Sequence, residues 1–140
     1  MSSFLQRYKT DKNLEENGVW VDFGDVRVKI ARITSKRSRD VRRQLERKYA
    51  RKFRGQDIPH DVMEKILIEQ LAQAVVMDWK GVTDASGREI PFNTEAARSI
   101  FTEFPDFRED VASAALMKET FLEEAREEEL GNSQNTYSGN

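Results

Sequence analysis

The chain has 140 residues, of which 38% are hydrophobic and 34% are charged, and its formal net charge is −2. This length suits a single domain with a modest core and leaves little room for a deep active-site cleft. The sequence has no cysteine, which excludes disulfides and thiolate metal sites. No apolar run approaches the ~20 residues of a membrane span, and the N-terminus lacks the apolar core of a secretory signal. We therefore expect an intracellular soluble protein.

The residue pattern in the N-terminal part of the chain predicts a flexible segment followed by a β-hairpin. Residues 1–17 hold few apolar anchors. Apolar and polar residues then alternate, and Gly24 can take the first central position of a tight turn. The pattern predicts strands at 19–23 and 26–33.

The first predicted helix is strongly basic. Between Lys36 and Arg54 lie ten basic and two acidic residues. Ser35 or Ser38 is a candidate N-cap, and Gly55 ends the helix. An apolar stripe recurs at every fourth position and predicts the buried face. It consists of Val41, Leu45, Tyr49 and Phe53.

Three further helices are predicted. An apolar core helix begins near Asp61 and reaches Trp79. A turn follows at 83–87, in which Gly87 is expected to take a positive φ. A helix over 93–103 is expected to direct Ala97, Ile100, Phe101 and Phe104 inward, and Pro105 forces a corner. The last helix is expected from Phe107 to Leu130.

These elements together predict a mainly α protein, in which an N-terminal β-hairpin precedes a small bundle of about four helices. The expected organisation is a flexible segment at 1–17, one helical domain at 18–131 and a disordered tail at 132–140.

The residues of catalysis and metal binding are sparse. His60 is the single histidine and stands between Pro59 and Asp61, where an exposed turn residue is expected. Asp84, Ser86 and Glu89 do not match the ligand spacing of a calcium loop. Phosphate-binding, dinucleotide-binding, zinc-protease and serine-hydrolase motifs do not occur. We expect no catalytic, cofactor or metal site, and a protein that is not an enzyme.

The basic helix leaves a nucleic-acid-binding alternative open. Its arginines could neutralise phosphates. However, Tyr49 and Phe53 fall on the apolar stripe rather than on a stacking platform, and the whole chain is acidic. From Glu119 to Glu129 six glutamates face one arginine, so the two charged segments could also pair within one chain or between copies.

Several segments in order give the chain a family resemblance. They are KNLEENGVWVDFG with the strand after it, the apolar helix leading into DWKGVTDASGREIPF, the segment NTEAARSIFTEFPDF, and an alanine-rich acidic helix containing Phe121. Over roughly residues 10–132 this pattern resembles the tail assembly chaperones of long-tailed, siphovirus-like bacteriophages.

The resemblance implies a protein that works by contact. Such chaperones bind the tape measure protein, keep it soluble and help tail tube proteins to polymerise around it. They act in the host cytoplasm and are absent from the mature virion. A structural tail or neck component of the virion is a further alternative. The candidate partner-contacting residues are Trp20, Val21, Phe23, Val28, Arg42, Arg43, Arg47, Trp79 and Phe121.

Overall fold

The fold was analysed in a computed structural model, in which residues 3–122 are described. The three strands are β1 (Val19–Phe23), β2 (Val26–Ile30) and β3 (Val76–Lys80). A π-helical turn covers Leu71–Val75 and a 3₁₀ turn covers Lys118–Phe121. The six helices are α1 (Ser3–Tyr8), α2 (Lys12–Asn17), α3 (Lys36–Phe53), α4 (His60–Gln70), α5 (Thr94–Glu103) and α6 (Pro105–Leu116).

The strands form one antiparallel sheet in the order β1-β2-β3. The predicted hairpin is present, although β2 ends at Ile30 and not at residue 33. Gly24 supplies the positive φ of 66° that its tight turn requires. β3 lies against the other side of β2, where Val28 faces Trp79, and a register shift follows between Lys29 and Ile30.

The predicted mainly α fold class is therefore wrong, because the described part of the chain combines six helices with a three-stranded sheet. The predicted core helix does not reach Trp79. α4 ends at Gln70, the π-helical turn follows, and Val76 is already extended with φ −80° and ψ 128°. Residues 76–80 gain more as a strand, because they complete the ladder of β2 and bury Val76 and Trp79.

The last predicted helix is also shorter than expected. α6 ends at Leu116, Met117 is extended with φ −71° and ψ 130°, and the 3₁₀ turn follows. This break brings Phe121 into the core, where its side chain is fully buried. The remainder of the predicted helix and the predicted tail at 132–140 lie outside the described residues.

The N-terminal segment contributes to the domain through α2. Leu14 is buried, and the backbone N–H of Asp11 donates to the carbonyl oxygen of Phe121 at 2.8 Å. Glu16 also caps α3, because its carboxylate accepts from the Lys36 N–H at 3.2 and 3.3 Å. Ser35, the predicted cap, makes no such side-chain bond. Helix α1 has no buried residue.

A single apolar core lies between the sheet and α4–α6. Its largest fully buried side chains belong to Phe101, Phe121, Ile30, Ile66, Leu71, Val28, Val75 and Val111. Among residues 3–122, no helix is both long and apolar enough to cross a lipid bilayer.

Candidate functional site

The candidate site is a cleft of about 400 Å³ at the corner between α5 and α6, which we call the corner cleft. β2 and the segment after β3 form its other side. The apolar lining residues are Val26, Val82, Ile100, Phe104, Pro105 and Phe107, and the remaining ones are Gly81, Thr83, Glu103 and Asp106.

Phe104 stands at the edge of this cleft, and its side chain is 48% exposed. The prediction that it faces inward with Phe101 is wrong. Pro105 occupies the first turn of α6 and disfavours helical geometry at the residue before it. Phe104 accordingly leaves the helix with φ −120° and ψ 81°, and its ring is no longer on the buried face of α5.

The floor of the corner cleft includes the ring of Phe107, which packs on two further aromatic rings. The Phe107 ring packs edge-on to Phe23, with ring centroids 6.2 Å apart, and stacks on Phe101 at 5.6 Å. Phe101 is fully buried, whereas Phe23 and Phe107 are half-buried. The ring of Phe107 is thus packed against both β1 and α5.

Gly81 allows the wall of the cleft to approach the hairpin turn. Its φ is +87°, and a Cβ atom at this position would overlap the carbonyl oxygen of Asp25. No other residue type fits here without backbone movement. The next residue, Val82, accepts a hydrogen bond from the Ile90 N–H at 2.7 Å.

Hydrogen bonds to Asp84 stabilise the loop that follows the cleft-lining residues 81–83. Its carboxylate accepts from the Ser86 hydroxyl at 2.7 Å and from the backbone N–H groups of Ser86 and Arg88 at 2.9 and 3.0 Å. The Ser86 hydroxyl bond, followed by these backbone bonds, lowers the pKa of Asp84. Gly87 takes the predicted positive φ, at +84°. The Asp84 carboxylate is thus hydrogen-bonded within its own turn.

A buried arginine ties the α5–α6 corner to α4. Arg108 is 5% exposed, and its guanidinium donates to the carbonyl oxygen of Phe101 at 2.6 Å and to the Glu64 carboxylate at 3.0 Å. A second tie joins Arg98 of α5 to Glu69 of α4. The hydrogen bond from Arg98 lowers the pKa of Glu69, and burial opposes this effect.

The rim of the corner cleft is acidic. Glu103 and Asp106 line it, and Glu109 and Asp110 are exposed further along α6. An apolar cavity with carboxylates at its mouth can hold one or two large apolar side chains from a partner that carries basic residues beside them.

The residues predicted to contact a partner are not gathered at one site. Val28, Trp79 and Phe121 are buried at 0%, 4% and 0% exposure, so they hold the fold together. Val21 and Phe23 pack against the core from β1.

Trp20 lies on the opposite face of the sheet from the core. Its ring carries the Arg27 guanidinium at 5.3 Å and the Lys80 ammonium at 5.1 Å from the ring centroid. The side chain is half-buried, and its cross-strand neighbour is Lys29. Trp20 thus lies on the side of the sheet away from the core, and β1, which carries it, is an edge strand.

The three predicted arginines belong to α3 and contribute nothing to the corner cleft. Arg42 donates to the Gln70 side chain at 3.2 Å and pairs with Glu46 at 3.6 Å. Arg43 pairs with Asp40 at 3.7 Å, and Arg47 is exposed.

Within residues 3–122, no three carboxylate or histidine side chains are placed to hold a metal ion. His60 is the first residue of α4 and is exposed.

Comparison with known proteins places the chain among phage proteins. The model of a family described as YdaY prophage protein matches residues 33–132, which include α3–α6, β3 and the α5–α6 side of the corner cleft. Neither a curated protein nor a solved structure matches the chain.

Proposed function

The chain belongs to the YdaY prophage protein family and is therefore of phage origin, and we propose that it is a tail assembly chaperone. It acts by non-covalent binding. Its client is an apolar helical stretch of the tape measure protein, which it keeps soluble until tail tube subunits polymerise around it. The corner cleft with its exposed Phe104 is the observation that supports this proposal most.

The energetics of the cleft favour an apolar client. Phe104 is only half-buried, and covering the rest of an aromatic side chain contributes on the order of 1 kcal/mol. A client side chain that enters the 400 Å³ cavity contributes a further 1.5–3 kcal/mol, roughly, for full burial. The sum suits reversible binding, which a chaperone needs because its client must later be released.

The acidic rim selects among apolar clients. Glu103 and Asp106 stand beside the apolar floor. Opposite charges beside an apolar anchor speed association and fix its orientation, whereas like charges repel. The preferred client is an amphipathic helix with large apolar residues at helical spacing and lysine or arginine next to them.

The tail tube protein contacts a second surface, the exposed face and edge of the hairpin. β1 is an edge strand, so its outer side can accept another strand. Trp20 supplies a large side chain on this surface, oriented by Arg27 and Lys80. Client and tube protein then occupy separate surfaces, and one chain can bring them together.

The site of action is the host cytoplasm, before the tail is complete. A structural tail or neck component would instead remain in the particle. Mass spectrometry of purified virions separates the two, because a chaperone is absent from them at stoichiometric amounts.

Replacing Phe104 with aspartate should strongly weaken client binding. The change removes the apolar lip and adds a charge beside Glu103 and Asp106, so we expect at least about a tenfold loss of affinity. The measurement is calorimetric titration of the purified chain with soluble segments of the tape measure protein encoded by the same prophage. Co-expression should show the matching loss of soluble tape measure protein.

Leu116→Asp is the matched control. Leu116 is also exposed, at 59%, and stands at the far end of α6 from the corner cleft. This variant should bind the client as the unaltered chain does. If both variants bind equally well, the corner cleft is not the client site, and if the unaltered chain binds no segment, the chaperone proposal fails.

Trp20→Ala should weaken binding of the tube protein and leave client binding unchanged. It removes the central side chain of the hairpin surface and leaves the corner cleft intact, so tube protein capture should weaken several-fold while client binding persists. Pull-down of the tube protein measures the first, and circular dichroism checks that the sheet is unchanged. Unaltered capture of the tube protein would exclude the hairpin surface.

A further inference from the structure

The solvent face of α3 carries a row of arginines that the proposed chaperone function does not use. Arg39, Arg43, Arg47 and Arg51 follow one another at intervals of four residues, and Arg54 is the left-handed residue that directly follows the helix. All five are exposed. We call these five residues the arginine face.

These arginines have few partners of their own. Within residues 3–122, Arg39, Arg47, Arg51 and Arg54 form no ion pair, and Arg43 reaches only Asp40, at 3.7 Å with 61% of its side chain exposed. The cost of holding like charges on one helix is therefore left uncompensated in the described chain.

The helix holds the row in a fixed geometry. Gln70 donates to the Ser38 hydroxyl at 2.8 Å and accepts from Arg42, and the Arg37 guanidinium donates to the Gln73 carbonyl at 3.0 Å. These bonds attach the opposite side of α3 to α4 and the π-helical turn. The first part of the row borders a depression of about 340 Å³, which is lined by Ile33, Arg39, Arg42, Arg43, Glu46 and Gln70.

The apolar side chains of α3 are directed away from the arginine face. Val41, Leu45, Tyr49 and Phe53 recur at intervals of four residues on the other side of the helix, and each is only half-buried. The buried residue of α3 is Ser38, so the stripe predicted as the buried face is not fully covered. The exposed uncharged residues of α3 are Gln44 and Ala50, and neither is a large apolar side chain. Protein interfaces depend on buried aromatic or aliphatic anchors, with charges mostly at the rim. A surface made of guanidiniums without such an anchor fits a partner that presents charge alone.

From this we propose that the arginine face binds the phosphate backbone of a nucleic acid, independently of sequence. Arginine presents a planar fork that pairs with phosphate through two hydrogen bonds. From Arg39 to Arg51 the row spans about 18 Å of helix at 1.5 Å per residue, which covers roughly five base-pair steps of 3.4 Å. The arginine face is separate from the corner cleft, so this proposal does not depend on client binding at the cleft.

The test is the salt dependence of binding to fluorescently labelled nucleic acid of roughly 20 nucleotides, measured by anisotropy with the full chain. We expect micromolar affinity at low salt and, for duplex DNA, a slope of log K against log salt of about −4, because four to five phosphates are neutralised. A parallel series with single-stranded RNA of the same length distinguishes the two sources of phosphate, since its slope is shallower, about −0.7 per contact against −0.9 for duplex.

The variant Arg43→Gln with Arg47→Gln should weaken binding at least about tenfold and reduce the slope by about 2, one unit for each lost contact. The control is Arg7→Gln with Arg88→Gln, which removes the same charge from exposed positions outside the arginine face. The control should bind as the unaltered chain does.

Three outcomes would overturn the proposal. The first is no anisotropy change at low salt. The second is an equal loss in both double variants, which would indicate general charge attraction. The third is tighter binding to poly-glutamate than to nucleic acid, which would assign the face to an acidic protein. The Arg43 and Arg47 double variant should still bind the client, because its corner cleft is unchanged. Titration with the client therefore tests the chaperone proposal separately from nucleic-acid binding.

Discussion

Replacing Gly81 with alanine should lower the free energy of unfolding by at least about 3 kcal/mol. Two effects combine at this position. Alanine at a φ of +87° is strained, and the new methyl group would overlap the carbonyl oxygen of Asp25. That oxygen belongs to the backbone of the hairpin turn, so the overlap is relieved only if the turn or the segment after β3 moves. Urea unfolding followed by circular dichroism measures the change.

Gly87→Ala isolates the conformational part of this effect. Gly87 has a φ of +84°, close to that of Gly81, but a Cβ atom there meets nothing within 4 Å. Its loss should stay near 1–2 kcal/mol, roughly the cost of the left-handed conformation alone. If the two variants lose the same free energy of unfolding, the close approach of Gly81 to the hairpin turn does not contribute to stability. The Gly81 variant should also bind the client more weakly, because Gly81 and Val82 line the corner cleft.

Phe121→Ala is expected to cost about 3–5 kcal/mol of stability. The ring is fully buried, and the Arg32 guanidinium lies 5.7 Å from its centroid. Removing it leaves a cavity beneath the 3₁₀ turn and weakens the attachment of α2, since the carbonyl oxygen of Phe121 accepts from Asp11. Differential scanning calorimetry of the full chain measures the loss.

Phe104→Ala removes the same atoms from an exposed position and serves as the comparison. Because Phe104 is 48% exposed, its stability loss should be below about 1 kcal/mol. The two variants thus separate the roles of two phenylalanines. One should affect stability and the other client binding. A small loss in the Phe121 variant would contradict the burial of this ring.

Local rules in the sequence predicted several elements correctly. The alternation around Gly24 gave the hairpin. The helix predicted over 93–103 is α5 (Thr94–Glu103), which Asn93 caps by accepting from the Ala96 N–H at 2.8 Å, and Pro105 marks the corner as expected. In each case one turn or cap residue determines the backbone within a few positions, so no distant contact is needed.

β3 could not be found in the same way, because its apolar positions fit two periods. Val75 and Trp79 are four residues apart and continue the helical pattern of α4, while the flanking valines also suit a strand. Residues 76–80 form a strand because they pair with the edge of β2, which lies about 50 residues earlier in the chain. Such tertiary pairing is not encoded in the local pattern.

The corner cleft was missed for a similar reason. Its lining comes from three separate stretches around Val26, Val82 and the segment 100–107. A local signal did exist at Phe104, since the residue before a proline leaves helical geometry and its side chain leaves the helix face. Periodicity alone placed Phe104 inward, and the proline effect outweighed it.

The bridge between Thr10 and Leu122 joins the segment before α2 to the residue that follows the 3₁₀ turn. It lies beside the open end of the hairpin, near Arg32, whereas the corner cleft borders the turn at its other end. Substitutions at this bridge should therefore leave the corner cleft and its client binding unchanged.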